Sequence, residues 1–456
     1  MKSLYPKTLI QSGIILSAVF FVSWTFGNLT VTAFPLTLAL LAGVVIALIV
    51  FLNTELALII LIFSMLLSPE FDIMELHERS VVIRIDDVLL VFAFFAWLAK
   101  TAVHKQMAFF RRTPLNIPII TYISVCIFSS IFGVYAGRIN PVTTSFYILK
   151  YIEYPMIFFM VVNTLRDQKQ IKRFLTFIIL TYVIVCLNSY FQIGHIPRVT
   201  APFEGLGSRA QPNTFSGYLM FIMAILSGFY LHARFFREKW LYGCLFLLGI
   251  PPFLYTFSRS GYVAIIAMFI ALAFLTRKKR TIIILGFLVI FILSPFWLPS
   301  PVVERIKTTF VGPKYELMGF PLQLERSAGD RILSWNIAFK LWPQRPWLGY
   351  GVSYIFLDIQ YITVLLETGV LGIFAFAWIL VTIFRSVLRI YDKFKENIFA
   401  QALSLGYLAG FVGLLLHALT VNTFIIVRIM EPFWFITAMV IIIPQLEIKE
   451  APIQTS

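Results

Sequence analysis

Residues 281–298 read TIIILGFLVIFILSPFWL and are entered through the basic run Arg277-Lys-Lys-Arg280. No residue of the stretch is charged, and as a helix it is long enough to cross the roughly 30 Å of hydrocarbon in a bilayer. A helix satisfies every backbone N–H and C=O within itself, which lipid demands. The apolar residues are continuous rather than alternating, which argues against a barrel strand. Similar runs recur from one end of the chain to the other. The 456 residues are 59% hydrophobic and only 13% charged, whereas a soluble domain carries about 25% charged residues. The sequence therefore predicts an all-α fold, a polytopic transmembrane helix bundle of about 12–14 spans with one large external loop.

Fourteen spans are expected, at 9–27, 33–52, 55–69, 87–103, 115–136, 144–164, 172–193, 212–232, 239–257, 261–276, 281–298, 360–384, 398–419 and 424–444. The first apolar run has no clear small-residue cleavage site and is expected to stay as the first helix. The net charge of +15 resides largely in short basic clusters, among them Lys2/Lys7, Arg111/Arg112, Arg166/Lys169, Arg234/Arg237 and Arg385/Arg389. With fourteen spans these clusters fall on one face. The positive-inside rule then puts both termini in the cytoplasm. Nucleic acid is not an expected partner, because this charge is what orients helices. Cys126, Cys186 and Cys244 all lie in apolar runs, so neither a disulfide framework nor a cysteine metal site is indicated.

Four regions follow. Residues 1–204 hold N-terminal transmembrane helices, 205–298 transmembrane helices with external arginine motifs, and 299–359 the large external loop. Residues 360–456 hold the C-terminal transmembrane helices and a short cytoplasmic tail. The loop carries an excess of Lys and Arg, from which a long loop is free to build a ligand site. Within it, Ser327–Trp342 reads as an amphipathic helix with Ile332, Trp335 and Phe339 on one face.

Four features on the external side carry candidate chemistry. Arg209-Ala-Gln-Pro212-Asn213 stands at a helix mouth, where Pro and Asn are also ordinary capping residues. Thr256-Phe-Ser258-Arg259-Ser260-Gly261 is a tight break between spans, and an arginine near membrane depth is costly unless paired or facing water. Arg331-Ile-Leu-Ser-Trp335 precedes Arg345-Pro-Trp-Leu-Gly349-Tyr-Gly351, whose glycines permit a sharp re-entry. Asp358-Ile-Gln-Tyr361 leads to Glu367-Thr-Gly369-Val-Leu-Gly372, and Asp358 is also a candidate cap of the helix that follows. The arginine fork matches phosphate geometry, and a carboxylate beside an acceptor hydroxyl can act as a general base. Arginines plus one base, with no metal-binding cluster, suit displacement of a diphosphate by a hydroxyl. Inside the bundle, Lys150/Glu153 and Arg428/Glu431 are each spaced to pair on one helical face.

From about residue 205 to 375 the order of these motifs resembles the O-antigen ligase and O-antigen polymerase superfamily (Wzy/WaaL-like) of bacterial envelope glycan enzymes. The resemblance implies a GT-C-like helical bundle with a large external loop. It also implies metal-independent glycosyl transfer from an undecaprenyl-diphosphate-linked glycan donor to a glycan acceptor outside the plasma membrane, without a cofactor. In that reading Arg259, Arg331 and Arg209 bind the diphosphate, and Tyr361, Glu367 and Trp335 contact or support the acceptor. The family block usually opens His-Asn-x-Tyr nine residues before the Glu. Here Asp358 and Ile359 hold the first two places, and Asp358 is the expected catalytic base. Polymerisation of lipid-linked repeat units is the leading expectation, with a chain-length regulator as an open partner. Ligation to lipid A-core or another acceptor is the alternative, and a lipid-linked sugar flippase is the rival of a different class. A transporter would place its ionisable groups near mid-bilayer, whereas here most candidate charge is at the outer face.

The topology has a direct test. A Ser327→Cys variant should react with a membrane-impermeant maleimide added outside intact cells. Reaction only after permeabilisation would refute the orientation.

Overall fold

The computed structural model describes residues 53–76, 79–103, 111–204, 211–276, 280–317 and 320–450. The expected spans 9–27 and 33–52 lie outside the described residues, as does Arg209. The other twelve expected spans each coincide with a helix: α1 (Thr54–Leu67), α2 (Ile85–Val103), α3 (Asn116–Tyr135), α4 (Pro141–Thr164), α5 (Gln168–Gln192), α6 (Pro212–His232), α7 (Phe236–Tyr255), α8 (Arg259–Leu275), α9 (Arg280–Trp297), α12 (Gln360–Lys393), α13 (Ile398–His417) and α14 (Val427–Glu450). Among the described residues seven helices are long and apolar enough to cross a membrane. The fold is an all-α polytopic bundle.

Two compact units are present. One comprises residues 1–61 and 87–109, of which the described part is helical in α1 and α2; the other comprises 62–86 and 110–456. In the larger unit α6 and α14 are almost wholly buried and α13 is mostly so. Helix α6 packs on α13, α7 and α8, and α14 packs on α4. Helix ends follow capping chemistry. Asn140 accepts from the Val142 and Thr143 amides at the start of α4, with Pro141 in the first turn. Asp167 and Asn397 cap α5 and α13 in the same manner. Outer helices keep apolar faces uncovered: α3 exposes Ile117, Ile120, Phe128 and Ile131. A face of this kind suits lipid rather than water.

The segment between α9 and α12 folds into α10 (Ser300–Lys307), a hairpin of β3 (Lys314–Leu317) with β4 (Phe320–Gln323), and α11 (Arg326–Leu341). A second hairpin, β1 (Glu70–Leu76) with β2 (Arg79–Arg84), lies between α1 and α2. Both are small departures from a purely helical chain. The expected helix Ser327–Trp342 is α11. Ser334 and Ala338 are buried, and Ala338 joins Leu357, Ile359, Ile362 and Leu366 in one apolar cluster. Trp335 and Phe339 stack on each other at 5.7 Å and stay partly exposed.

The loop returns to the bundle through a break in α12. Gly369 has φ 65° and ψ −161°, a region open essentially to glycine alone. The break frees backbone groups on both of its sides, and the Arg345–Gly351 segment takes them up. The amides of Tyr350 and Gly351 donate to the carbonyls of Leu366 and Glu367, both at 2.9 Å. In return the amides of Val370 and Leu371 donate to the carbonyls of Pro346 and Trp347, at 2.8 and 3.2 Å. Gly349 (φ 67°) is held so close that a Cβ there would lie 2.7 Å from the carbonyl carbon of Glu367. The buried Glu367 carboxylate accepts from the Ser353 amide at 2.9 Å and from the Tyr151 hydroxyl at 3.2 Å, joining the returning strand to α4.

Gly369→Ala should therefore cost about 1–3 kcal/mol, because its Cβ would enter the Trp347 carbonyl. The control is Gly286→Ala, in mid-α9 with open space around it, where alanine should be neutral or stabilising by about 0.5–1 kcal/mol. Apparent melting temperatures in detergent micelles compare the two. Equal melting of Gly369→Ala and the parent would contradict the interlock.

Candidate functional site

The site is built at the end of the bundle that carries the long loop, where α6, α8, α11 and the α13–α14 turn converge. Helix α6 starts at Pro212, and the side chain of Asn213 reaches the break between α7 and α8. There the Ser258 hydroxyl donates to Asn213 Oδ1 at 2.8 Å and accepts from the Gly261 amide at 3.2 Å, so Ser258 is the N-cap of α8. Phe257 takes a positive φ of 49° to make the turn. Two motifs separated by more than forty residues in sequence are thus one hydrogen-bonded unit.

Arginines close around this unit. Arg198 Nε donates to the Thr256 carbonyl at 2.9 Å, and its Nη2 lies 3.3 Å from the Phe257 carbonyl and 3.4 Å from Asn213 Oδ1. Burial, and secondly the charge of Arg305, lower its pKa to about 10. Arg259, the first residue of α8, forms an ion pair with Glu325 Oε2 at 2.6 Å and donates to Thr309 Oγ1 at 3.1 Å. The other Glu325 oxygen binds Arg305 Nη1 at 2.7 Å. Arg331, on α11, donates from Nε to the Thr420 carbonyl at 2.8 Å, and the Thr420 hydroxyl donates to Ser260 on α8 at 2.8 Å. Burial lowers the Arg331 pKa, and the charge of Arg259 lowers it further, while Asp358, Glu325 and Asp330 act in the opposite sense. Four guanidinium groups thus gather against three carboxylates.

Asp358 is exposed at the foot of α12, where its charge acts on Arg331. It does not hold the cap position: α12 begins at Gln360 with Ile359 as N-cap, and no side chain caps there. The backbone around it is fixed from below. Asn422 Nδ2 donates to the Leu357 carbonyl and Asn422 Oδ1 accepts from Thr363 Oγ1 at 3.1 Å. The Phe424 amide donates to Gln360 Oε1 at 2.7 Å. His417 supports the same turn, with Nδ1 2.8 Å from the Thr423 hydroxyl, and is fully buried.

The structure brings Arg259, Arg331 and Asp358 to one place. Tyr361 and Glu367 are engaged elsewhere: the Tyr361 hydroxyl donates to the Leu415 carbonyl at 2.9 Å, and Glu367 is enclosed at the interlock. Trp335 lies on the partly exposed face of α11. Sequence reasoning passed over Arg198, Glu325, Thr420 and Asn422. Arg198 stands alone in an otherwise uncharged stretch before Glu204, and only that isolation hinted at it.

The intramembrane pairs also resolve. Lys150 and Glu153 bind each other at 3.0 Å. Arg428 instead donates to the carbonyls of Pro202 at 2.7 Å and Leu66 at 3.3 Å, and Glu431 faces Asp86 and Arg84.

Residues 244–377 match the family model Wzy_C, described as O-Antigen ligase. The match runs from α7 through α8, α9 and the loop to the break in α12, so it contains Arg259, Glu325, Arg331, Asp358 and Gly369. Over this segment the chain is similar to the O-antigen ligase and polymerase superfamily, and the resemblance read from the motifs holds. No curated protein matches the chain.

Proposed function

We propose that the protein is a membrane glycosyltransferase that polymerises undecaprenyl-diphosphate-linked oligosaccharide units on the external face of the bacterial plasma membrane. One observation carries this reading: the arginines of two separate motifs and the loop converge, within the matched segment, on a spot that Asp358 borders. The loop side is taken as external, as the charge distribution of the sequence requires.

The chemistry follows from the groups present. An acceptor sugar hydroxyl attacks the anomeric carbon of the donor, the bond from that carbon to the diphosphate oxygen breaks, and the diphosphate leaves with the bonding electrons. Asp358 takes the hydroxyl proton. Arg259 and Arg331 hold the diphosphate and neutralise the charge that grows on it as it leaves. In this reading guanidinium charge does that work, the transfer needs neither metal nor cofactor, and the catalyst is of the GT-C kind. Glu325 holds Arg259 and Arg305 in place and exchanges them to the diphosphate when the donor arrives.

Ligation is the second reading, favoured by the description of the matching family. It uses the same donor site and differs only in the acceptor. Export without transfer is the weaker account, because a transporter has no need of a carboxylate beside its phosphate-binding arginines.

Charge-assisted hydrogen bonds contribute roughly 1.5–3 kcal/mol each. Arg259→Ala and Arg331→Ala should each slow elongation about 10- to 100-fold on that scale, and lysine should restore it only in part because it lacks the bidentate fork. Asp358→Asn should lower turnover about 10²–10⁴-fold while donor binding persists. Purified variants with a defined donor and acceptor provide the assay. Near-parental turnover in both arginine variants would refute the diphosphate assignment, and near-parental turnover in Asp358→Asn would refute the base.

A further inference from the structure

A second pair of arginines lies away from the site just described, where the turn between α3 and α4 meets the returning end of the loop. Gly137 (φ 65°) turns the chain after α3, and Arg138 Nη2 donates back to the Phe132 carbonyl at 3.1 Å. The loop is seated against this turn. The Val352 amide donates to Ser130 Oγ at 3.1 Å, and Thr144 Oγ1 lies 3.2 Å from the Val352 carbonyl and 3.0 Å from Ser353 Oγ. Tyr350 and Tyr354 stack at 4.3 Å with an angle of 16° between their rings, and the Tyr350 hydroxyl donates to the Leu341 carbonyl at 2.9 Å.

Arg138 and Arg345 stand beside this tyrosine pair, and the charge of Arg345 acts on Arg138. Among the described residues neither has a carboxylate partner. Arg138 Nε is shielded from solvent with no acceptor. Two like charges held together by backbone contacts, without a counter-ion, make a place whose electrostatics an anion would complete.

We propose that Arg138 and Arg345 form a second anion site, which holds the diphosphate of the acceptor's lipid carrier. The proposal rests on the polymerase reading. Elongation brings two lipid-linked diphosphates to one face: one leaves, the other is retained. The leaving diphosphate needs Asp358 nearby to activate the attacking hydroxyl. The retained one needs charge alone, and the Arg138–Arg345 pair supplies charge without a neighbouring carboxylate. Arg138 lies three residues beyond the end of α3, a helix long and apolar enough to cross a membrane. An acidic sugar of the glycan offers the same oxyanion chemistry, and the experiment separates the two sources.

Full-length protein in nanodiscs of zwitterionic lipid is titrated calorimetrically with inorganic pyrophosphate and, separately, with glucuronic acid. Two classes of pyrophosphate site are expected. Arg345→Ala removes a side chain with no hydrogen bond of its own in the described structure, so it should leave folding intact. It should weaken one class about tenfold or more and spare the class that Arg259→Ala removes. The Arg138→Lys, Arg345→Lys double variant should recover the weakened class only in part. Weakened glucuronate binding with unchanged pyrophosphate binding would overturn the carrier diphosphate as occupant in favour of an acidic sugar. Parental binding of both probes in Arg345→Ala and in Arg138→Ala would overturn the site itself. If Arg259→Ala alone has no effect, the donor assignment fails and this one stands.

Discussion

The exchange of backbone hydrogen bonds across Gly369 is the constraint on which the rest of the structure depends. Lipid offers no partner to a broken helix, so a break is tolerated only where protein supplies one. Here the supplier is the Arg345–Gly351 segment, which gives two amides and takes two in return. The arrangement fixes the far end of the long loop in register with α12. It thereby sets where α11, and with it Arg331, comes down on the bundle, and where Asp358 emerges. Glu367 ties this junction to α4 through the Ser353 amide and the Tyr151 hydroxyl.

Electrostatics then does what packing permits. Bringing guanidinium groups together at the edge of a low-dielectric bundle is costly, and the structure offsets this in stages. Glu325 divides its two oxygens between Arg259 and Arg305. Backbone carbonyls at Thr256 and Phe257 each take a donor of Arg198, and that of Thr420 takes the Nε donor of Arg331. Such carbonyls orient an arginine without cancelling its charge. What remains is a preorganised positive spot bordered by Asp358, and electrostatic preorganisation of this kind is the main resource of a catalyst that stabilises a departing anion.

Much of this was legible in the sequence because lipid imposes a coarse rule: continuous apolar runs of the right length became helices in all twelve describable cases. The arginine and glycine motifs were legible in order and at one end of the bundle, since glycine and proline mark chain breaks by their chemistry alone. The pairing of motifs was not. Nothing in the spacing of Asn213 and Ser258 says that they touch, and Arg198 has no motif around it. Which face of α11 packs on the bundle was not legible, because the pattern marked Trp335 and Phe339 as apolar and gave Ser334 and Ala338 no signal. The small side chains win there because the helix approaches the start of α12 closely. The hairpins were missed because strands of four to seven residues leave little pattern in a chain dominated by apolar helices.

The measurement that bears most directly on the account is reconstitution of the purified chain, as the sole protein, with one synthetic polyprenyl-diphosphate-linked repeat unit. Products are resolved by electrophoresis, and released carrier diphosphate is quantified. The account predicts a ladder of lipid-linked glycans spaced by one repeat unit, with one polyprenyl diphosphate released for each linkage formed. Recovery of the donor intact, moved across the bilayer but never joined to another unit, would contradict it.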